Sequence, residues 1–240
     1  MKNKINDISE KFRQDNRLLD SYVDDIRKAI KEFNKQCDDL KNYMESGGSI
    51  EVEPKKTIND DGKVSIAMGI ADNQWSREAI SFGLNNRVEQ LKQYIDLSLT
   101  MAFTYLLTTF DAKYIDVIKV YFNSISETFP EDVTVEKKLM KFAYKSVSRQ
   151  VASLKMNYDI DFEKILGKST IDSLIEIRET RNIHVHNSGV VNRIYLDNVT
   201  NTTKNEGEYR TIDETYLESS KETIQRFFYE LTHQIELKLN

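Results

Sequence analysis

The sequence predicts an all-α protein, an antiparallel bundle of four or five helices from about 75 to 240, with a long N-terminal helix and small β-hairpin insertions. Three observations carry this. Only two prolines and eight glycines punctuate 240 residues, of which 30% are charged, a composition suited to long helices with few tight turns. Apolar residues recur in steps of three and four along most of the chain. Short strand-like apolar runs occur only between residues 50 and 68 and just after Gly189. The organisation read from these signals is 1–48, a helical appendage; 49–74, a hairpin insertion; and 75–240, the bundle.

Residues 3–45 form the first element. Ile5, Ile8, Phe12, Leu19, Tyr22, Ile26, Ala29, Phe33, Leu40 and Tyr43 make a near-heptad stripe on a helix of about 60 Å. Two readings stand open: a dimerising coiled coil, or a helix laid across its own domain. As an extra element it is also a candidate sensor or restraint, in which case deleting 1–48 raises activity or changes the oligomer. Ser46-Gly47-Gly48-Ser49 breaks it and reads as a linker. Ile50, Val52, Val64, Ile66 and Met68, around Asp60-Asp61-Gly62, read as a hairpin.

The main body begins at Trp75. Ile80, Leu84, Val88, Leu91, Leu99, Phe103, Leu106 and Phe110 predict a central helix, and Tyr114 to Phe129 a second that stops before Pro130. The run from Tyr94 to Phe110 carries one charge, Asp96, but is too short and too rich in Ser and Thr to span a membrane. A third helix is expected from about 132 to 157, with Lys137, Lys141, Lys145 and Arg149 forming one basic stripe at i+4 spacing. That stripe is either a phosphodiester track or a solvated lysine face. A short helix near 161–166 precedes one from about 169 to 187. Val190-Val191 and Ile194-Tyr195-Leu196 read as strand-like, 198–207 as a polar loop, and Thr211-Ile212-Asp213 as the cap of a last amphipathic helix.

The chemistry concentrates at the end of the 169–187 helix. Arg178, Arg181, Asn182, His184 and His186 crowd together there, including two of the chain's three histidines, before Asn187-Ser188-Gly189. Guanidinium binds phosphate through a planar fork, and imidazole exchanges protons near neutral pH. A carboxamide holds a hydroxyl or phosphate oxygen. Basic groups at a helix C-terminus also favour the helix dipole, which accounts for one or two of these residues but not for the whole set. On a straight helix Asn182 and His186 share a face, whereas Arg181 and His186, five apart, do not. They converge only if the last turn unwinds or a second copy faces the first.

Arg181-Asn182, three residues, then His186 resembles the signature of the HEPN superfamily, helical proteins of which many are metal-independent RNA endonucleases. The resemblance runs over roughly Phe82 to Leu239, its specific part confined to about a dozen residues. It implies the same bundle, a homodimer with a composite site, and cleavage by the substrate's 2′-hydroxyl to leave a 2′,3′-cyclic phosphate. On that resemblance Arg181, Asn182 and His186 are catalytic and Arg178 and His184 are secondary RNA contacts; the lysine stripe, read from its charge and spacing alone, is the candidate RNA track. A toxin or anti-phage effector role, with a regulatory or antitoxin protein as partner, follows from the resemblance alone.

Other classes find less support. The net charge of −5 excludes a generally basic nucleic-acid coat, so RNA contact must be local. Cys37 is the sole cysteine, which leaves no disulfide framework and no zinc spacing. No metal and no cofactor are expected, and no Gly-rich phosphate loop favours a nucleotide-binding reading. The charged N-terminus lacks a signal-peptide core, so a cytoplasmic location is expected. The alternative function is a non-catalytic helical module that dimerises or holds a protein partner.

Overall fold

A computed structural model describes residues 1–45, 51–58, 64–70 and 74–239, with side chains described outside 41, 43–81 and 84. The protein is an all-α helical bundle with one small hairpin. In chain order its elements are α1 (Lys2–Glu45), β1 (Glu51–Ile58), β2 (Val64–Ile70), α2 (Gln74–Ser124), α3 (Val135–Ala143), α4 (Val147–Tyr158), α5 (Phe162–Leu166), α6 (Lys168–His186), α7 (Arg193–Asn198) and α8 (Glu214–Lys238). The expected Ser46–Ser49 linker and the Asp60–Gly62 turn lie outside the described residues. The hairpin itself forms, antiparallel, with Ile58 opposite Val64.

The chain divides into two compact units, 1–23 with 96–240, and 24–95, so both unit boundaries fall inside α1 and α2. The second unit holds the end of α1, the hairpin and the start of α2. The first unit holds the core. Ile5, Phe12, Leu19 and Val23 of α1 are buried there with Phe103, Leu106, Phe110 and Ile118 of α2 and Ile224, Phe227, Leu231 and Ile235 of α8. Phe12 lies 4.3 Å from Phe228, centroid to centroid, and Lys221 of α8 pairs with Asp20 at 2.6 Å. The first half of α1 is therefore laid across its own domain.

Side-chain caps start the helices that the sequence marks with Asp, Asn or Thr. Asp213, Asn192, Asp161 and Thr134 each accept a backbone N–H three residues on. Among the described residues, no helix is long and apolar enough to cross a membrane.

Three expectations are corrected. The two helices expected on either side of 110–114 are one, α2, because Phe110-Asp111-Ala112-Lys113 contains no breaker and Phe110 stacks on Tyr114 within it. The helix expected over 132–157 is two, broken at Tyr144–Ser146. The buried Gln150 amide donates to the Phe142 carbonyl at 3.2 Å and the Ala143 carbonyl at 3.4 Å, so a side chain from α4 satisfies the end of α3. Finally, Ile194–Leu196 is helical, not strand-like. Asn192 caps α7, and Tyr195 is buried and bonded to Glu176.

Candidate functional site

Helix α6 buries Ile171, Leu174, Ile177, Thr180 and Ile183, a strict i+3 row that fixes which residues face outward. It packs against α4, α5, α7 and α8. Beneath its last turn, Ile183, Val191, Tyr195 and Val199 form a small apolar cluster of their own.

The helix end is tightly built. The Ile183 carbonyl accepts from both Asn187 N (2.8 Å) and Gly189 N (3.0 Å), and the Asn187 amide donates to the Val190 carbonyl at 2.6 Å. Ser188 and Gly189 have positive φ, 51° and 77°. A Cβ at Gly189 would lie 2.5 Å from the Tyr209 ring and 2.8 Å from His184 Cε1. The position needs glycine for both conformation and room.

Beyond it the chain returns antiparallel. Val191 N donates to the Glu208 carbonyl, Gly207 N to the Val191 carbonyl and Arg210 N to the Gly189 carbonyl. Glu176, nearly three turns before the end of α6, fastens this return. Its Oε1 accepts from Arg210 Nη2 (3.1 Å), Tyr195 Oη (3.0 Å) and Thr180 Oγ1 (3.1 Å), and its Oε2 from Tyr216 Oη (2.7 Å). Arg210 also sits over the Tyr216 ring at 4.1 Å. Burial pushes the Tyr195 and Tyr216 hydroxyls above their ordinary values, and the adjacent Glu176 carboxylate adds to it. Sequence reasoning missed this hub. Its one local signal is a carboxylate between Ile175 and Ile177 on an otherwise apolar run.

The motif residues fall into two groups. Arg178 and His184 are engaged by the fold. Arg178 pairs with Asp111 of α2 at 2.6 Å and reaches Gln150 of α4 at 3.4 Å, joining three helices. Burial raises the Asp111 carboxyl above the usual range, and Arg178 opposes that rise. His184 Nε2 lies 2.7 Å from the Arg210 carbonyl, an acceptor, so that nitrogen carries the proton. Its ring meets Tyr209 edge-on at 5.7 Å. Burial lowers its pKa, partly offset by the bond to Arg210.

Arg181, Asn182 and His186 are differently placed. Arg181 lies in the field of Asp111, and its Nε–H is buried without a hydrogen-bond partner. The Asn182 amide reaches Glu179 only at 3.5 Å, a marginal bond. His186 is exposed and carries no partner among the described residues. Because α6 stays helical through His186, its last turn does not unwind. Arg181 and His186 are thus about 140° apart around the axis, and one chain does not bring them onto one face. Asn182 and His186 do share a face.

The α3–α4 break divides the expected basic stripe, with Lys137 and Lys141 on α3, Lys145 in the break and Arg149 on α4. Lys137 donates to the Asp132 carbonyl, Lys145 to Ser153 Oγ, and Arg149 is exposed on α4. Lys141 and Lys145 line a cavity that Lys137 and Arg149 do not. Among the described residues, no group of three or more His, Cys, Asp or Glu side chains is arranged to hold a metal. Comparison with known proteins finds no matching family model, no matching curated protein and no matching solved structure.

Proposed function

We propose that this protein is a HEPN-type RNA endonuclease, metal-independent, acting as a homodimer in which two copies of the α6 end face each other. The observation that carries the reading is an orphaned guanidinium donor on Arg181 and an imidazole on His186 that is exposed and unpartnered among the described residues, on different faces of one helix end, as a site shared between two copies requires. A buried unpaired donor costs about 1–3 kcal/mol and invites explanation by a ligand. A phosphate oxygen is the natural acceptor for it.

In this mechanism the substrate's 2′-oxygen attacks the adjacent phosphorus while the bond to the 5′-oxygen breaks. His186 of one copy takes the 2′-hydroxyl proton and delivers it to the leaving 5′-oxygen, while the facing copy supplies Arg181. General acid–base catalysis of this kind supplies about 10²–10⁴ in rate. Arg181 balances the charge that grows on the non-bridging oxygens. Asn182, on the same face as His186, orients the imidazole or a phosphate oxygen. The products are a 2′,3′-cyclic phosphate and a 5′-hydroxyl, and DNA, lacking the 2′-hydroxyl, is inert. An effector role as a toxin or in anti-phage defence rests on the resemblance of Arg181, Asn182 and His186 to the family signature.

The composite site is tested by mixing two inactive variants, Arg181→Ala and His186→Ala. Recovery of cleavage on mixing supports a site shared between copies. No recovery, with both variants folded and dimeric, refutes it. The second reading, a non-catalytic partner-binding module, draws on the separation of Arg181 and His186 within one chain and on the structural engagement of Arg178 and His184. It predicts that neither substitution alters any cleavage.

A further inference from the structure

A cavity of about 780 Å³ opens between the C-terminal part of α2, α3, α4 and the end of α8, lined by none of the motif residues. Four ammonium groups line it, Lys138, Lys141, Lys145 and Lys238, against a single carboxylate, Asp159. In a chain of net charge −5 this is a concentration of positive charge, held in one place by the α3–α4 break. Lys145 is steadied by Ser153 Oγ at 3.1 Å and Lys238 by Asp159 at 3.2 Å. Lys138 lies 3.7 Å above the Phe129 ring, and burial lowers its pKa. Lys141 is exposed and has no partner among the described residues.

We propose that this cavity binds a nucleoside triphosphate, its phosphates held by Lys141, Lys145 and Lys238 and its base against the half-buried Tyr158 ring. The volume falls within the 300–1,000 Å³ typical of small-ligand pockets. Ammonium groups bind phosphate as point charges, so no backbone phosphate loop is required, consistent with the absence of a Gly-rich motif. The lining combines ammonium groups with an aromatic ring, as a polyphosphate attached to a base requires. A compact ligand is favoured over an extended strand because four ammonium groups converge on this one cavity, while the neighbouring Lys137 ammonium is bound to the Asp132 carbonyl. The site is independent of the cleavage reading.

The test is calorimetric titration of the full chain with ATP, in EDTA at low ionic strength. Saturable one-site binding is expected, competed by tripolyphosphate and not by adenosine. Lys141→Glu/Lys145→Glu should weaken it by about tenfold or more, the effect of removing and reversing two phosphate-contacting charges. Lys141→Glu alone, at an exposed position without a partner, decides the matter if the double variant fails to fold. The proposal is overturned if wild type shows no saturable ATP binding, or if Lys141→Glu leaves the affinity unchanged. A short single-stranded RNA that displaces ATP and binds more tightly also overturns it, by making the cavity a strand track.

Discussion

Replacing Glu176 by Gln keeps the shape of the hub and removes its charge. The carboxylate and Arg210 are each 22% exposed, so the pair stands between surface ion pairs, worth about 0–1 kcal/mol, and buried pairs, whose disruption costs about 3–5 kcal/mol. A loss of about 2 kcal/mol is expected, lowering the melting temperature by roughly 4–8 °C for a chain of this size. The amide still accepts from Thr180 and Tyr195, and Tyr216 can turn to accept from it, so most hydrogen bonds survive and the loss reports charge. Tyr216→Phe removes one bond to a charged acceptor and should cost about 1.5 kcal/mol. Thermal and urea unfolding followed by circular dichroism measures both. If Glu176→Gln unfolds within about 0.5 kcal/mol of wild type, Arg210 is held by its stacking on Tyr216 and its backbone bonds, and the account of the hub is wrong.

Three further predictions follow from the same contacts. Gly189→Ala should cost about 2 kcal/mol, combining left-handed strain with displacement of His184 or Tyr209, and urea unfolding should detect it. Phe12→Ala opens a cavity beside Phe228 and Phe110 and should cost about 3–5 kcal/mol; deleting 1–48 accordingly should yield unfolded protein, not an activated enzyme. Because burial lowers the His184 pKa, the folded state prefers the neutral ring. The stability it confers is full above the unfolded value of 6.5 and is lost as pH falls below that toward the folded value. Urea midpoints at pH 7.5 and 5.5 should therefore differ less in His184→Gln than in wild type, and an equal difference contradicts this.

How far the sequence could be read depends on how local each cause is. The spacing of Ile5, Phe12 and Leu19, and of Ile224, Phe227 and Leu231, is a property of one helix, and both helices form as the pattern requires. The break at Tyr144–Ser146 is not, since it depends on the Gln150 amide turning back to cap Phe142 and Ala143. Ile194-Tyr195-Leu196 has the composition of a strand, but Asn192 caps it and Glu176, nineteen positions away, bonds Tyr195. The candidate site divides the same way. Arg181, Asn182 and His186 stand out by residue type and spacing. That Arg178 belongs to Asp111, and His184 to the Arg210 carbonyl, depends on contacts 67 and 26 positions apart that no local pattern announces.

The central claim is that His186 cleaves RNA. Purified wild type and His186→Ala, matched in fold and oligomeric state, should be incubated with total cellular RNA in EDTA and the product ends analysed. The account predicts 2′,3′-cyclic phosphate ends from wild type and their loss in the variant. Equal cleavage by both proteins contradicts it.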